Sequence, residues 1–408
     1  MSTNIQKNQI TEGIIWRQLL LFFFPILLGT FFQQLYNTID SVIVGQFVGK
    51  EALAAVGGSS AQIVAFVVGF FTGLSSGASV TIAQFFGAKD SRSANKGLHT
   101  AYAIAAFGGL ILTVSGIILT PFLLEMMNTP ADIVADSAVY LRIYFAGIIF
   151  VLIYNMGSAI LRATGDSKRP LYYLIVCCII NIVLDVLFVI VFHMGVMGVA
   201  VATLIAQAVS AVLVTLKLMR SEGILKLSVK QIRFHGSILK MQLKLGLPTG
   251  FEAILFSITN IAIQSAVNTF GTDTTAAWSA YGKLDAIFWM VSTAFGIAIT
   301  TFVGQNYGAG KMDRVRKSTR VCLLMDFIVS AVLVVFLIAA RFLLFRLFTN
   351  DSHVIEIGCD MLVLITPWYI VYVFIEVIAG ALRGVGNVVV PVAITLLGVC
   401  VLRIAWLA

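Results

Sequence analysis

Four polar residues lie inside apolar stretches of the sequence and could together bind a cation. At 1.5 Å of helix per residue, Asp40 falls about 30 Å along the first apolar stretch and Asp185 about 22 Å along the fifth. Asn181 precedes Asp185 by one helical turn and shares its face. Thr203 lies about 10 Å into the next stretch. Because charged groups are costly inside a bilayer unless they are paired or hydrated, these positions are candidate functional residues.

The spacing predicts one ion-coupling site in the outer half of the membrane, formed by Asp40, Asn181, Asp185, Thr203 and Asn37. Carboxylate, amide and hydroxyl oxygens suit a hard cation such as Na⁺, whose metal ligands would be Asp40, Asn181 and Asp185. The two carboxylates can equally share a proton, because like charges in a low dielectric do not both stay ionised. A hydrogen-bonded network that only holds three helices together is the remaining alternative.

A second set of acidic and aromatic residues is predicted to line a substrate cavity: Glu252, Asp285, Glu376, Tyr36 and Trp289. Carboxylates there would attract a cationic substrate, and aromatic faces could stack on it. For Glu252 and Glu376 the alternative is a structural ion pair with Lys283 or Arg403. The aromatic residues could instead serve helix packing or an interfacial belt. For Asp326 the sequence favours a structural role.

The elements that carry these residues are long apolar segments. Of the 408 residues, 59% are hydrophobic and only 11% are charged, whereas a soluble domain carries about 25% charged residues. The apolar runs are about 20 residues or longer and are separated by short charged stretches. This pattern predicts an all-α polytopic protein with about eleven helices, located in the plasma or inner membrane.

The chain repeats itself at an offset of 221 residues. The segment QFFGA at 84–88 recurs as QNYGA at 305–309, and LRATGD at 161–166 recurs as LRGVGN at 382–387. Each repeat holds an even number of helices, which predicts two lobes of the same orientation.

The repeat also predicts the domain boundaries. Residues 1–218 would form an amino-terminal six-helix lobe, residues 219–244 a basic cytoplasmic linker, and residues 245–408 a carboxy-terminal lobe. The second lobe lacks a counterpart of the predicted helix 195–218, so we expect a truncated lobe. Asp185 maps onto Trp406 at the same offset. The ion site is therefore expected in the first lobe alone.

The net charge of +8 follows membrane topology rather than a nucleic-acid surface. The basic residues concentrate in alternate loops, which predicts a cytoplasmic amino terminus. The segment 219–244 could be a plain linker or an amphipathic helix lying in the membrane interface. No P-loop, no His-Glu-x-x-His motif and no metal spacing of the five cysteines occurs in the sequence. We therefore expect no enzyme activity, no cofactor and no ATP-driven pump.

The sequence resembles multidrug and toxic compound extrusion (MATE) transporters. The resemblance lies in the combination of the two repeated motifs with the stretches YNTIDSVIVG at 36–45 and NIVLD at 181–185. The resemblance covers the whole chain and implies a V-shaped pair of six-helix lobes. It also implies export of cationic, lipophilic compounds against entry of Na⁺ or H⁺. By the resemblance, the amino-lobe cation site of the family matches Asp40, Asn181, Asp185 and Thr203. The aspartate that other members carry in the tenth helix has no match here, and Glu376 lies nearby.

Two other functions remain open from the sequence. One is a flippase for lipid-linked oligosaccharides or polysaccharides of the same superfamily, although such a site would need a more basic cavity. The other is a membrane protein without transport activity. The expected partners are cationic drugs, Na⁺ or H⁺ and membrane lipid, without nucleic acid, and the expected state is a monomer.

Overall fold

The computed structural model describes residues 9–407, which form helices and connecting turns; none of these residues forms a β-strand. The helices of the first half are α1 (Gln9–Glu12), α2 (Ile15–Phe47), α3 (Lys50–Gly57), α4 (Ser59–Gly87), α5 (Ser91–Met126), α6 (Val134–Ala163), α7 (Lys168–Asp185) and α8 (Gly195–Met219). The helices of the second half are α9 (Gly236–Asn268), α10 (Thr272–Gly308), α11 (Met312–Ala339), α12 (Arg341–Arg346), α13 (Ser352–Ile365), α14 (Tyr369–Gly384), α15 (Val389–Thr395) and α16 (Leu402–Leu407).

Within residues 9–407, ten helical segments are long and apolar enough to cross a membrane. An eleventh, shorter apolar segment covers Val389–Ala405. Two of the ten spans consist of consecutive helices, since α3 and α4 together make Lys50–Gly87 and α13 and α14 make Ser352–Gly384. The predicted all-α polytopic fold with about eleven helices is confirmed.

Three apolar segments change their helical pitch, at Thr366–Trp368, at Val186–Val191 and at Leu396–Val401. A 3₁₀ turn at Thr366–Trp368 separates α13 from α14 and contains Pro367, which has no backbone N–H to continue an α-helix. After α7, the chain passes into a π-helical stretch over Val186–Val191. The wider π turn places the end of α7 and the start of the next stretch out of α-helical register.

The first repeated motif ends a long helix in both halves of the sequence. The amides of Ala88 after α4 and Ala309 after α10 each close the last helical turn, at 2.9 and 3.0 Å. The next residue has a left-handed backbone in both copies, with φ of 58° at Lys89 and 71° at Gly310. The sequence repeat is therefore also a repeat of backbone conformation.

The second motif repeats its geometry in the same way. Gly165 after α6 and Gly386 after α14 have φ of 98° and 91°, values that glycine adopts without steric cost. Asp166 and Asn387 each accept, through Oδ1, a hydrogen bond from the amide three residues further on, at 3.1 and 3.3 Å. Both motifs thus stop one helix and start the next by the same contacts.

The chain divides into two compact units. We call Leu28–Ala253 the first unit. The second unit comprises Met1–Leu27 and Ile254–Ala408. The boundaries fall inside α2 and α9. The repeat predicts a different division, based on internal sequence similarity, into residues 1–218, 219–244 and 245–408. This division stays a prediction.

In the first unit, small residues let α4 and α9 approach closely. A Cβ atom at Gly73 would lie 2.6 Å from the Gly250 Cα, and one at Gly77 would lie 2.5 Å from the Gly246 amide nitrogen. Neither position can therefore hold a larger residue without moving a backbone. The close packing at Gly73 and Gly77 follows the small-residue rule for membrane helices.

Candidate functional site

A buried polar cluster lies in the first unit, and we call it the Asp40 cluster. It consists of Asp40 from α2, Asn181 and Asp185 from the last turns of α7, and Thr203 from α8. The exposed fractions are 0% for Asp185, 1% for Asn181 and 7% for the other two. Three helices thus bring together the four residues that the sequence places at similar depth.

The cluster is close-set but is not a closed hydrogen-bond network. The Asp40 side chain lies within interaction range of Asp185, Thr203 and Asn181. Nevertheless, six buried polar atoms make no hydrogen bond of ordinary length and angle to any residue between 9 and 407: Asp40 Oδ1, both polar atoms of Asn181, both carboxyl oxygens of Asp185 and the Thr203 hydroxyl. A structural network that satisfied every member would give these six atoms partners, and the structure does not.

Buried carboxyl groups without hydrogen-bond donors have two ways to lower their energy. Each carboxyl group can bind a proton, or the group can share a cation with other oxygen atoms. The cluster offers two carboxyl groups, one amide oxygen and one hydroxyl oxygen, the type of ligand that Na⁺ accepts. The chemistry of this donor set fits a monovalent cation or a proton.

The helix that carries Asp185 is irregular where this residue lies. α7 ends at Asp185, and the π-helical stretch Val186–Val191 begins with the next residue. The Phe192 amide donates to the Leu187 carbonyl at 3.0 Å, a bond that spans five residues. Such π bulges are frequent at functional sites, because they rotate a side chain away from its α-helical direction.

Aromatic residues surround the cluster. Tyr36, one turn before Asp40, is 7% exposed and interacts electrostatically with Asp40, Tyr140 and Tyr144. The ring centroids of Tyr140 and Tyr144 lie 6.2 Å apart in a stacked arrangement. Tyr140 also interacts electrostatically with Asp185. These aromatic rings make the surroundings of the carboxyl groups less polar, which increases the cost of an unneutralised carboxylate there.

Two of the residues around the cluster have positions that the sequence did not predict. Gln207, one turn after Thr203, is 7% exposed and donates through Nε2 to the Tyr36 hydroxyl at 3.4 Å. Tyr36, expected in the substrate cavity, therefore lies beside the ion-site residues.

Asn37, which the sequence predicts for the ion-coupling site, has an exposed side chain. Its backbone carbonyl accepts a hydrogen bond from the Ser41 hydroxyl at 2.9 Å.

Asp285 in the second unit lies in a cage of hydrogen-bonding aromatic residues. Trp289 Nε1 donates to Asp285 Oδ2 at 2.8 Å, and the Tyr369 hydroxyl donates to Oδ1. The Tyr281 hydroxyl in turn lies 2.5 Å from that of Tyr369. We call Asp285, Trp289, Tyr369 and Tyr281 the Asp285 cage. The structure thus brings together Asp285 and Trp289, both predicted for the substrate cavity.

The cage is backed by stacked aromatic rings. Phe288 stacks on Tyr369 at 4.0 Å and an interplanar angle of 12°. Tyr372 meets Trp289 edge-on at 4.6 Å. A half-buried carboxylate framed by aromatic faces is a suitable environment for an organic cation.

Glu376 in the second unit is held by a different set of contacts. Arg383 Nη1, two helical turns further along α14, lies 3.7 Å from Glu376 Oε1, and the Tyr372 hydroxyl donates to Oε2 at 3.3 Å. The sequence suggested an ion pair of Glu376 with Lys283 or Arg403; the ion pair that the structure shows joins Glu376 to Arg383 on the same helix. Gly296 on α10 leaves the space that the Glu376 carboxylate occupies.

The remaining acidic candidates are buried. Asp326 is 0% exposed and accepts a hydrogen bond from the Ser330 hydroxyl at 3.1 Å. Glu252 is 7% exposed and belongs to α9 in the first unit. Its role in a substrate cavity stays a prediction, as do the roles of Asp285, Glu376, Tyr36 and Trp289.

The sequence matches a known family over most of its length. The profile of the MatE family matches residues 25–187 and 248–406. The probable multidrug resistance protein YoeA of Bacillus subtilis is 30% identical over 393 residues, covering 94% of this chain and 84% of that protein. The probable multidrug resistance protein NorM of Thermotoga maritima is 27% identical over 412 residues, covering 98% of this chain and 86% of that protein.

Solved structures share the fold. One, described as the outward-facing conformation of a multidrug resistance MATE family transporter of the MOP superfamily, matches with a TM-score of 0.89. The match covers 97% of this chain and 88% of that chain at 22% identity. A structure described as MATE in the straight conformation matches with a TM-score of 0.88, covering 96% of this chain and 87% of that chain at 23% identity.

Proposed function

The chain belongs to the MatE family of membrane transporters, and from this membership we propose that it is a cation-coupled antiporter. In this proposal it exports cationic, lipophilic compounds across the cell membrane while H⁺ or Na⁺ enters. Its relatives YoeA and NorM are named as probable multidrug resistance proteins, which supports drugs as the substrate class. The activity is transport and not catalysis, and the transporting unit is a monomer.

The observation that carries the proposal is that six buried polar atoms of the Asp40 cluster make no hydrogen bond of ordinary length and angle to any described residue. Among the described residues, nothing donates to Asp40 Oδ1 or to either carboxyl oxygen of Asp185. A bound proton or Na⁺ would neutralise this pair, and its departure would leave a charge that is costly in an apolar surrounding. Occupancy of the cluster therefore changes the free energy of the conformation that buries it.

This change in free energy can couple the ion to the drug. If one conformation binds the cation more tightly and the other binds the drug more tightly, each ligand lowers the affinity for the other. Ion entry at the Asp40 cluster then drives drug release. Thr203 and Asn181 would help to hold Na⁺ as the transported substrate, whereas Asp40 and Asp185 suffice for H⁺.

The Asp285 cage is the proposed contact for the drug cation. Its carboxylate supplies the negative charge, and Trp289 and Tyr369 supply aromatic faces. The Tyr369 hydroxyl and the Trp289 indole both donate to Asp285, and these two hydrogen bonds offset part of the cost of its negative charge. The cage thus differs from the Asp40 cluster, where the carboxyl groups have no such donors.

The test uses the full chain in proteoliposomes loaded with a fluorescent cationic dye. Dye efflux is measured under a Na⁺ gradient alone and under a pH gradient alone. We expect Asp40→Asn to lower ion-driven efflux at least tenfold, because the neutral amide can no longer exchange charge with the coupling ion. Asp132→Asn, at an exposed position between α5 and α6, is the matched control and should keep wild-type efflux.

Two results would contradict the proposal. One is wild-type efflux that is insensitive to both gradients, which removes the coupling. The other is unchanged efflux by correctly inserted Asp40→Asn protein, which removes the Asp40 cluster from the mechanism.

A further inference from the structure

A basic cleft lies in the first unit, where the connection between α8 and α9 passes over the start of α5. Its volume is about 330 Å³, and its lining includes Arg92, Lys96, His99, Lys230, Arg233 and His235. The described lining contains neither Asp nor Glu. Four basic side chains thus face one small volume without an acidic residue among them.

Membrane topology alone does not require such a cleft. An excess of Lys and Arg is common in the loops on one side of a membrane protein. A mobile basic loop would meet this topological requirement without forming a cleft. Here the connection is instead attached to α5 at two places. The cleft between these attachments is preformed.

The first attachment lies at residues 226–228. The Ser228 amide donates to His99 Nε2 at 3.0 Å, and Asn95 Nδ2 donates to the Lys226 carbonyl at 3.2 Å. Leu227 between them is only 2% exposed and packs into the core of the first unit. His99 donates through Nδ1 to the Asn95 carbonyl at 2.8 Å, so that its Nε2 is free to accept. Buried and backbone contacts therefore fix this side of the cleft.

The second attachment lies at His235, immediately before α9. The His235 amide donates to Thr100 Oγ1 at 3.3 Å, and its ring Nδ1 lies 3.1 Å from the same hydroxyl. Between the attachments, Val229–Gln231 forms one 3₁₀ turn that carries Lys230 into the cleft. The basic side chains are thus presented from both walls.

The titration of His235 reflects the positive potential of the cleft. Burial and the neighbouring charges of Arg233 and Lys96 lower the pKa of His235. Positive charge that disfavours a further proton on His235 also favours an anion nearby. The cleft is therefore electrostatically suited to a negatively charged ligand.

Apolar residues flank the cleft on the same connection. Val229 is 62% exposed and Phe234 is 45% exposed. The Phe234 ring meets Phe107 of α5 edge-on at 5.9 Å, and Phe107 is itself 57% exposed. Phe107 lies in the apolar part of α5, so Phe234 rests against a surface that faces the hydrocarbon region.

We propose that this cleft binds the phosphate group of an anionic phosphate ester. Arg92 and Arg233 offer planar guanidinium groups that bind phosphate oxygens in pairs, and Lys96 and Lys230 offer point charges. A volume of 330 Å³ corresponds to about ten waters at ~30 Å³ each, enough for a phosphate with part of its substituents. The exposed Val229 and Phe234 favour the headgroup of a membrane phospholipid as the source of this phosphate.

The test compares two double variants of the full chain that lose the same charges. Lys230→Gln/Arg233→Gln removes one Lys and one Arg from the cleft. Lys240→Gln/Arg220→Gln removes one Lys and one Arg from exposed positions outside the cleft lining, on α9 and after α8. All four positions are exposed, so both proteins should fold, and thermal unfolding in detergent checks this.

Each protein is reconstituted in nanodiscs with phosphatidylglycerol and phosphatidylcholine, and lipid retained after extraction is measured by native mass spectrometry. In a second arm, the thermal unfolding temperature in detergent is measured at increasing concentrations of inorganic phosphate. Chloride at the same ionic strength serves as the reference. A basic residue near an anionic surface contributes about fivefold to binding, so the cleft variant should lose affinity roughly 30-fold. The control variant should lose much less.

The two arms distinguish the sources of the phosphate. Selective retention of phosphatidylglycerol that the cleft variant loses supports a lipid headgroup, whereas a phosphate-dependent stabilisation that it loses supports a free phosphate ester. Equal lipid retention and equal phosphate response in the two variants would overturn the proposal.

Discussion

Asp40 and Asp185 lie within interaction range of each other in one buried cluster, although 145 residues separate them in the chain. Neither Asp40 Oδ1 nor the carboxyl oxygens of Asp185 receive a hydrogen bond from any described residue. Stability and function should therefore oppose each other here. A group that is costly in the folded protein is retained where its charge is useful.

Replacing Asp185 by Asn should stabilise the fold while it impairs ion-driven efflux. The amide has nearly the shape of the carboxyl group but cannot ionise, so we expect a gain of about 1 kcal/mol at alkaline pH without Na⁺, where the wild-type carboxyl group would have to carry a buried charge. The gain should shrink as the pH falls, because protonation then neutralises the wild-type Asp185 as well. Thermal unfolding of the purified protein in detergent measures both effects.

The control for this prediction is Asp360→Asn, which changes an exposed carboxylate on α13. Its unfolding temperature should equal that of the wild type at each pH. A lower unfolding temperature for Asp185→Asn than for wild type would mean that the cluster is held by favourable contacts of Asp185 after all.

Replacing Tyr369 by Phe should weaken drug binding without affecting the coupling ion. The variant loses the hydroxyl that donates to Asp285 and contacts Tyr281, but keeps the ring that stacks on Phe288 at 4.0 Å. One hydrogen bond to a charged group contributes about 1 kcal/mol or more, so KM for a cationic dye should rise about fivefold or more. The rate at saturating dye should change little.

Initial rates of dye efflux from proteoliposomes measure this effect. Tyr172→Phe removes an exposed hydroxyl elsewhere and should leave KM unchanged. A KM for Tyr369→Phe equal to that of Tyr172→Phe would place the drug outside the Asp285 cage.

Depth along the chain could be predicted from the sequence, whereas lateral neighbours could not. Counting 1.5 Å per residue placed Asp40, Asp185 and Thr203 at one level, because helices in a membrane are long and nearly straight. The direction in which a side chain points depends on helix rotation and tilt, which packing decides. Tyr36, expected in the substrate cavity, lies beside Asp40, and Tyr140 lies near Asp185, a neighbour that the sequence does not indicate.

The same limit applies to the second unit. The contact of Asp285 with Tyr369 joins residues 84 apart, and no pattern in either segment predicts it. The pairing of Glu376 with Arg383 could have been found, because seven residues are two helical turns and place both side chains on one face of α14. Lys283 and Arg403, the partners that the sequence suggested, lie on other helices.

The orientation of the chain can be tested with single cysteines, because all five native cysteines are buried. Lys226 and Glu125 are exposed, and the Lys226 carbonyl is bonded to Asn95 near the start of α5, whereas Glu125 lies at its end. About 30 residues of helix, or ~45 Å, separate the two ends, enough to cross a bilayer.

With a cytoplasmic amino terminus, a membrane-impermeant maleimide should label Glu125→Cys on intact cells. It should label Lys226→Cys only after permeabilisation, and the wild type under neither condition. The reverse pattern for the two variants would contradict the predicted orientation.

The repeat makes a last prediction, which concerns two equivalent turns. Lys89 after α4 and Gly310 after α10 have left-handed backbones with φ of 58° and 71°. A residue with a Cβ atom is strained there by roughly 1 kcal/mol, whereas glycine is not. We expect Lys89→Gly to raise the free energy of unfolding by up to about 1 kcal/mol, and Gly310→Ala to lower it by a similar amount.

Thermal unfolding in detergent compares both variants with the control Ala88→Gly, because the backbone of Ala88, at φ of −71°, suits any residue. That control should be destabilised through the added freedom of its unfolded chain. If Lys89→Gly were destabilised as much as Ala88→Gly, the two repeated turns would not share the strain that their common geometry implies.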